Sequence, residues 1–174
     1  MTAPSPANTN PLSAATAESS PTPPPIRLRK ILVPVDFSDA SCKALKYATA
    51  FAAQFQAQLL LLHVVEFALV GSDFGLVELS QIEADMRESA LERLGTWMKR
   101  EVPPNIPVNA RVQCGRPYLE ILEIAKTDEA DLILIASHGH SSLAHVVLGS
   151  TVERIVRHAP CPVLVVRPAE HEFV

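Results

Sequence analysis

Four short apolar runs recur along the chain with almost no polar alternation: Lys30–Val35 (KILVPV), Gln58–Val65 (QLLLLHVV), Asp131–Ala136 (DLILIA) and Pro162–Val166 (PVLVV). A strand with one wet face alternates polar and apolar residues, so runs like these read as strands covered on both faces. Val108–Gln113 fits a further strand. The stretches between them carry helical spacing. Ser38 is placed to cap a helix bearing Cys42, Leu45, Ala48, Ala52 and Phe55. Residues 66–76 read as a loop, and 77–100 as a long helix with Leu79, Ile82, Met86, Ala90, Leu94 and Trp97 along one side, stopped by Pro103 and Pro104. Gly115-Arg116-Pro117 opens a third helix through Leu119, Leu122, Ile124 and Ala125, and Ser150–His158 forms a fourth.

The resulting order βαβαβαβαβ predicts an α/β fold: an open, doubly wound parallel sheet of five strands with helices on both faces, joined by right-handed crossovers. The connectivity favours the Rossmann-like order 3-2-1-4-5. In such sheets a ligand sits beyond the carboxyl ends of the strands, where the strand order reverses. Attention therefore falls on Pro34–Ser38, His63–Glu66 and Ala136–Ser150.

Composition narrows the partners. With a formal net charge of −4 and 20% charged residues, nothing advertises nucleic acid or an anionic membrane. No apolar run approaches the ~20 residues of a membrane helix, and no basic start followed by an apolar stretch marks a secretory signal. The expected location is the cytoplasm. Cys42, Cys114 and Cys161 are odd in number and form no CxxC pair, so they read as reduced core residues. At 174 residues, one domain is expected, residues 29–174. Ahead of it, residues 1–25 hold seven of the fifteen prolines and eight Ser or Thr with one charge, Glu18. Such a segment buries too little to offset the entropy of ordering, so residues 1–28 are expected to be a disordered tail.

The loop after the fourth strand carries the chemistry. It runs Ser137-His138-Gly139-His140-Ser141-Ser142 and reaches Gly149-Ser150-Thr151 at a helix start. Glycine allows close backbone approach, and the free N–H groups of a helix start favour an anion, so phosphate would dock at Gly149 and Ser150. By itself the pattern is unspecific, because neither GxxxxGK[ST] nor GxGxxG is present and a glycine before a helix commonly marks a turn.

Residues 29–168 resemble the universal stress protein family. The likeness rests on KILVPVDFS, LLLLHVVE, GRPYLEILEIA and LIASHGHSSLAHVVLGSTVERIVRHAPCPVLVV. Its nucleotide-binding branch has Gly, two residues, Gly, nine residues, Gly, then Ser or Thr. Here Gly139, Gly149 and Ser150 match, and Ala136 stands at the first glycine. The resemblance implies ATP or AMP as ligand, with Mg2+ held through the phosphates. It implies Asp36 near the ribose, flanked by Pro34 and Val35; the backbone of Val64 at the adenine edge; and Ala136, His138, Gly139, His140, Gly149, Ser150 and Thr151 around the phosphates. His140 occupies a position commonly Arg or Lys in relatives, and residues 137–149 contain neither. Triphosphate affinity is then expected to be moderate and to rise as protons charge the imidazole.

Other readings of these residues stay open. Asp36 could serve only the helix start, Val64 only the core. His138 and His140, with His145, are too few and too unspecific for a transition-metal site. His63 reads as a satisfied core histidine, and His158 as a helix C-terminal cap. No residue stands out to position water against a γ-phosphate, and no nucleophile–base pairing is evident. The expected function is an adenine-nucleotide-binding regulatory stress protein that acts on an unidentified protein partner as a homodimer paired through Pro162–Val166. The alternatives are a nucleotide-free stress scaffold and a slow ATPase.

Overall fold

The computed structural model describes residues 25–66, 76–139 and 148–168. The elements are β1 (Lys30–Pro34), α1 (Asp39–Phe55), β2 (Gln58–Val65), α2 (Leu76–Glu101), β3 (Val108–Cys114), α3 (Pro117–Thr127), β4 (Leu132–Ala136), α4 (Ser150–His158) and β5 (Val163–Val166). All strand pairs are parallel, in the order β3-β2-β1-β4-β5.

The two-residue period of the strands divides the core. Ile31, Val33, Leu59, Leu61, Leu132, Leu134 and Ala136 face α1 and α2, where Ala44, Leu45, Tyr47, Ala48, Leu94 and Trp97 close over them. Leu32, Leu60, Leu62, Ile133 and Ile135 face Ile121, Ile124 and Ala125 of α3, and Val152 and Ile155 of α4. Each fully buried leucine contributes ~1.5–3 kcal/mol of hydrophobic stabilisation. Burial on both faces is why these strands lack alternation.

Several expected details shift. The first strand ends at Pro34, and the fourth begins at Leu132, because Asp131 lies in a bend where its carboxylate accepts the N–H groups of Arg29 (2.7 Å) and Lys30 (3.0 Å). Pro162 lies just outside β5, although its carbonyl still accepts from Ile133 at 3.0 Å. The third strand runs one residue further, to Cys114. On the long helix, Leu94 and Trp97 alone of the stripe's described side chains are deeply buried; Ile82 and Met86 are 38% and 40% exposed. In α3 the buried set is Ile121, Ile124 and Ala125, with Leu119 exposed.

The cysteines are free, but they sit half-buried at the margins of the core, not inside it. The expected tail lies outside the described residues as far as position 24, as do most of the 66–76 loop and residues 169–174.

Candidate functional site

The sheet order reverses between β1 and β4, and the chain segments that leave these two strands meet at their carboxyl ends. After β1 the chain turns sharply at Phe37, which has φ 66°. A bulky residue in the left-handed region costs ~1–3 kcal/mol and persists only where its surroundings hold it. Here the ring packs 4.6 Å from His63, edge-on to Trp97 at 5.8 Å, with the Arg93 guanidinium 4.0 Å above it. Ser38 then caps α1, its hydroxyl accepting from the Ser41 N–H at 3.2 Å.

That turn sets the half-buried Asp36 carboxylate. Its Oδ1 accepts from the Ser38 N–H (3.1 Å), the Ser38 hydroxyl (2.6 Å) and the Ser41 hydroxyl (2.5 Å). The Asp36 N–H in turn donates to Ser41 Oγ at 3.1 Å. Asp36 is therefore not the helix cap. Its second oxygen, Oδ2, lies against Gly139, so closely that a Cβ there would collide with it. Glycine at 139 is what lets the β1 turn and the β4 loop touch.

At the end of β2, Val35 N–H donates to the Leu62 carbonyl at 2.9 Å, the last rung between the two strands among the described residues. Continuing the parallel ladder would require Val64 N–H to reach the Val35 carbonyl. That carbonyl pairs instead with His63 Nδ1 at 2.8 Å. A carbonyl only accepts, so Nδ1 carries the proton, and His63 is a satisfied, half-buried histidine. The Val64 backbone consequently faces the gap where β1 has ended, while its side chain packs on the core beside α3 and α4. Pro34 and Val35 are buried alongside it.

Ala136 is 5% exposed and its methyl belongs to the core on the α1 side. The substitution for glycine is thus absorbed by packing. Ser137 is fully buried; its N–H donates to the Val166 carbonyl at 2.8 Å, and its carbonyl accepts from Gly149 at 3.0 Å. Ser137 Oγ and His138 Nδ1 lie 2.7 Å apart.

Gly149 is the N-cap of α4, and its carbonyl takes the first helical bond, from Glu153 at 2.9 Å. Since the Gly149 N–H is used by Ser137, the N–H groups left at this helix start are those of Ser150, Thr151 and Val152, which have no backbone partner among the described residues. His140 to Val147 lie outside the described residues, so His140 and His145 are not placed.

Sequence reasoning singled out Asp36, Val64 and the two glycines, which lie at this edge, and passed over Ser41, which bonds to Asp36, and Phe37, which packs on His63. The spacing Asp-x-Ser-x-x-Ser at 36–41 held the signal for Ser41. Nothing local marks Phe37, whose role comes from contacts 26 to 60 residues away in sequence.

Elsewhere, His158 Nδ1 lies 2.9 Å from the Arg154 carbonyl at the end of α4, as a capping histidine does. Burial pushes all three thiols above their ordinary range, with Glu101 adding to the effect at Cys42. No cluster of three or more His, Cys, Asp or Glu suited to a metal ion occurs among the described residues, and none of their helices is long and apolar enough to cross a membrane.

Fold and site together define a doubly wound α/β protein whose candidate site lies at the β1–β4 switch point. Residues 27–167 match the universal stress protein family, and the chain belongs to that family. It is 34% identical over 146 residues to universal stress protein MJ0531 of Methanocaldococcus jannaschii, covering 83% of this chain and 85% of that one. Among solved structures it is similar to UspA from Lactobacillus plantarum, with a TM-score of 0.66 and 34% identity over 82% of this chain and all of that one. Protein MJ0577 of the same archaeon gives 0.69 at 28% identity, over 84% of this chain and all of its own.

Proposed function

We propose that the protein binds an adenine nucleotide, ATP or AMP, at the carboxyl edge of the sheet and acts in the cytoplasm as a dimeric regulator in the response to stress. The observation that supports this reading best is the Asp36–Gly139 contact, which brings a carboxylate of the kind that accepts from ribose hydroxyls against the loop that follows β4. Three donors support each other here: the N–H groups of Ser150, Thr151 and Val152 suit phosphate oxygens, and the Ser150 hydroxyl can join them. The unclaimed backbone of Val64 offers the donor and acceptor pair that an adenine edge requires.

The residues fit a nucleotide whose charge is met mainly by backbone dipoles, since residues 137–149 contain no Lys or Arg. Bound Mg2+ would neutralise phosphate charge, with Ser150 or Thr151 as its nearest hydroxyl ligands. The output is then a nucleotide-dependent contact with another protein.

The missing cation supports a second reading, a stress scaffold that has lost its nucleotide. Mass spectrometry of the small molecules released on denaturing the purified protein separates the two. Near-stoichiometric adenine nucleotide is expected. None, even after incubation with millimolar ATP and magnesium, would leave the scaffold.

A further inference from the structure

Residues 137–149 contain no Lys or Arg, but the helix that follows them carries two arginines, and the two differ in what holds them. In α4 the Arg157 guanidinium is paired with the Glu153 carboxylate at 2.7 Å. Arg154 has no carboxylate partner among the described residues; its Cζ stands 4.5 Å from the centroid of the Tyr118 ring, over on α3. A guanidinium above an aromatic face is attracted by the ring's quadrupole, and its N–H groups stay available to an acceptor.

The fold decides where that cation lies. α3 begins just past the carboxyl end of β3 and α4 follows the carboxyl end of β4, so the first turns of both helices stand at the carboxyl edge of the sheet. Tyr118 is in the first turn of α3, and an arginine that reaches it from α4 is held at that edge. Arg154 comes four residues after Ser150 and three after Thr151, on the helix face they share, and about 6 Å along the axis from the first of them. Helical side chains lean toward the N-terminus, which carries the guanidinium back toward the α4 start.

We propose that Arg154 is a second phosphate-binding group of the nucleotide site, so that the site selects nucleoside polyphosphates over monophosphates. The proposal rests on the nucleotide-binding reading and deepens it. The N–H groups of Ser150, Thr151 and Val152 gather at one point of the helix start and hold one phosphate group. A monophosphate is used up there. Only a ligand with a further phosphate also reaches the guanidinium, whose fork of donors matches phosphate oxygens. Tyr118 holds the side chain in advance, which lowers the entropy lost when the anion docks.

The test is isothermal titration of the full-length protein with ATP and with AMP, at one magnesium concentration and one ionic strength. The parent should prefer ATP by about tenfold or more, the scale of a hydrogen bond between charged groups. In Arg154→Gln the preference should fall to about threefold or less, through weaker ATP binding with AMP affinity nearly unchanged. Arg157→Gln removes the same charge from the same helix, at a position that Glu153 already neutralises, and should keep the parent's preference.

A role confined to tying α4 to α3 would weaken ATP and AMP alike and leave their ratio where it was, which overturns the proposal. An equal fall of the ratio in Arg157→Gln would assign the effect to the overall field of the helix and overturns it too. Arg154 is exposed, so its replacement leaves the core intact, and an unchanged melting temperature checks this. A parent that binds neither nucleotide removes the nucleotide reading and this proposal together. A parent that binds both equally, or a variant at Arg154 that prefers ATP as the parent does, removes only the proposal.

Discussion

Gly149 gives its N–H to the carbonyl of Ser137 at 3.0 Å, and a Cβ on Gly149 would stand 3.3 Å from that same oxygen. One short contact thus fixes the start of α4 against the end of β4, and it leaves no slack for a branched side chain. Gly149 has φ −68° and ψ 150°, a conformation open to any residue, so the need for glycine comes from space and not from backbone strain. Gly149→Ala should cost little, since a shift of a few tenths of an ångström accommodates it. Gly149→Val should push the helix start off Ser137 and weaken ATP binding about tenfold, or about 1.4 kcal/mol. Calorimetry on both variants checks this, and an unchanged affinity in the valine variant would take the α4 start out of the site.

The Asp36–Gly139 contact predicts non-additivity. In Gly139→Ala the new methyl meets Asp36 Oδ2, so the carboxylate must leave the position that Ser38 and Ser41 define. The variant should lose ATP affinity through Asp36, not through its own methyl. Asp36→Ala combined with Gly139→Ala should therefore bind no worse than Asp36→Ala alone, a coupling of the kind expected for residues in contact. Independent, additive losses would show that the two residues serve separate parts of the ligand.

The strands were legible because burial on both faces writes itself into composition: Leu59 to Leu62 can only lie between two layers of helices. Asp36 and the loop glycines were legible through the family pattern. What stayed hidden was relational. The helical period extends through Ile82 and Met86, but periodicity does not say where the sheet beneath a 26-residue helix stops. Asp131 opens an apolar run in sequence, and it is the N–H groups of Arg29 and Lys30, about a hundred residues away, that hold it in a bend outside the strand. The freeing of the Val64 backbone likewise depends on His63 taking a carbonyl 28 residues away.

The thiols offer a chemical check on the packing. Burial raises the pKa of Cys42, Cys114 and Cys161, and the thiolate is the reactive form. Each should therefore be alkylated by iodoacetamide more slowly than free cysteine at pH 7.5. The rate should climb with pH through a midpoint displaced upward. Mass mapping of the labelled peptides measures all three at once. Rapid labelling of any one at neutral pH would contradict its placement beside the core.

The last prediction concerns assembly. Among the described residues only β4 pairs with β5, so Val163–Val166 is an edge strand of the described sheet. The carbonyls of Pro162 and Val166 accept from Ile133 and Ser137, which assigns the even-numbered residues of β5 to the inner ladder. By the alternation of a parallel pair, Val163 and Val165 direct their N–H and C=O groups outward. An apolar edge with open backbone groups invites a second strand, and a two-fold axis would let two copies of β5 run antiparallel and continue the sheet. Pro160 and Pro162 on one side and Pro168 on the other limit the pairing to this short stretch. Val165→Pro is then a clean probe, because it deletes an outward N–H and leaves the bonds to β4 in place, whereas Leu164→Pro would strike the inner ladder. Light scattering at micromolar concentration should find the parent dimeric and Val165→Pro monomeric, with thermal stability lowered only as far as loss of the partner requires. A monomeric parent refutes the dimer, and a dimer that survives Val165→Pro places the interface on another surface.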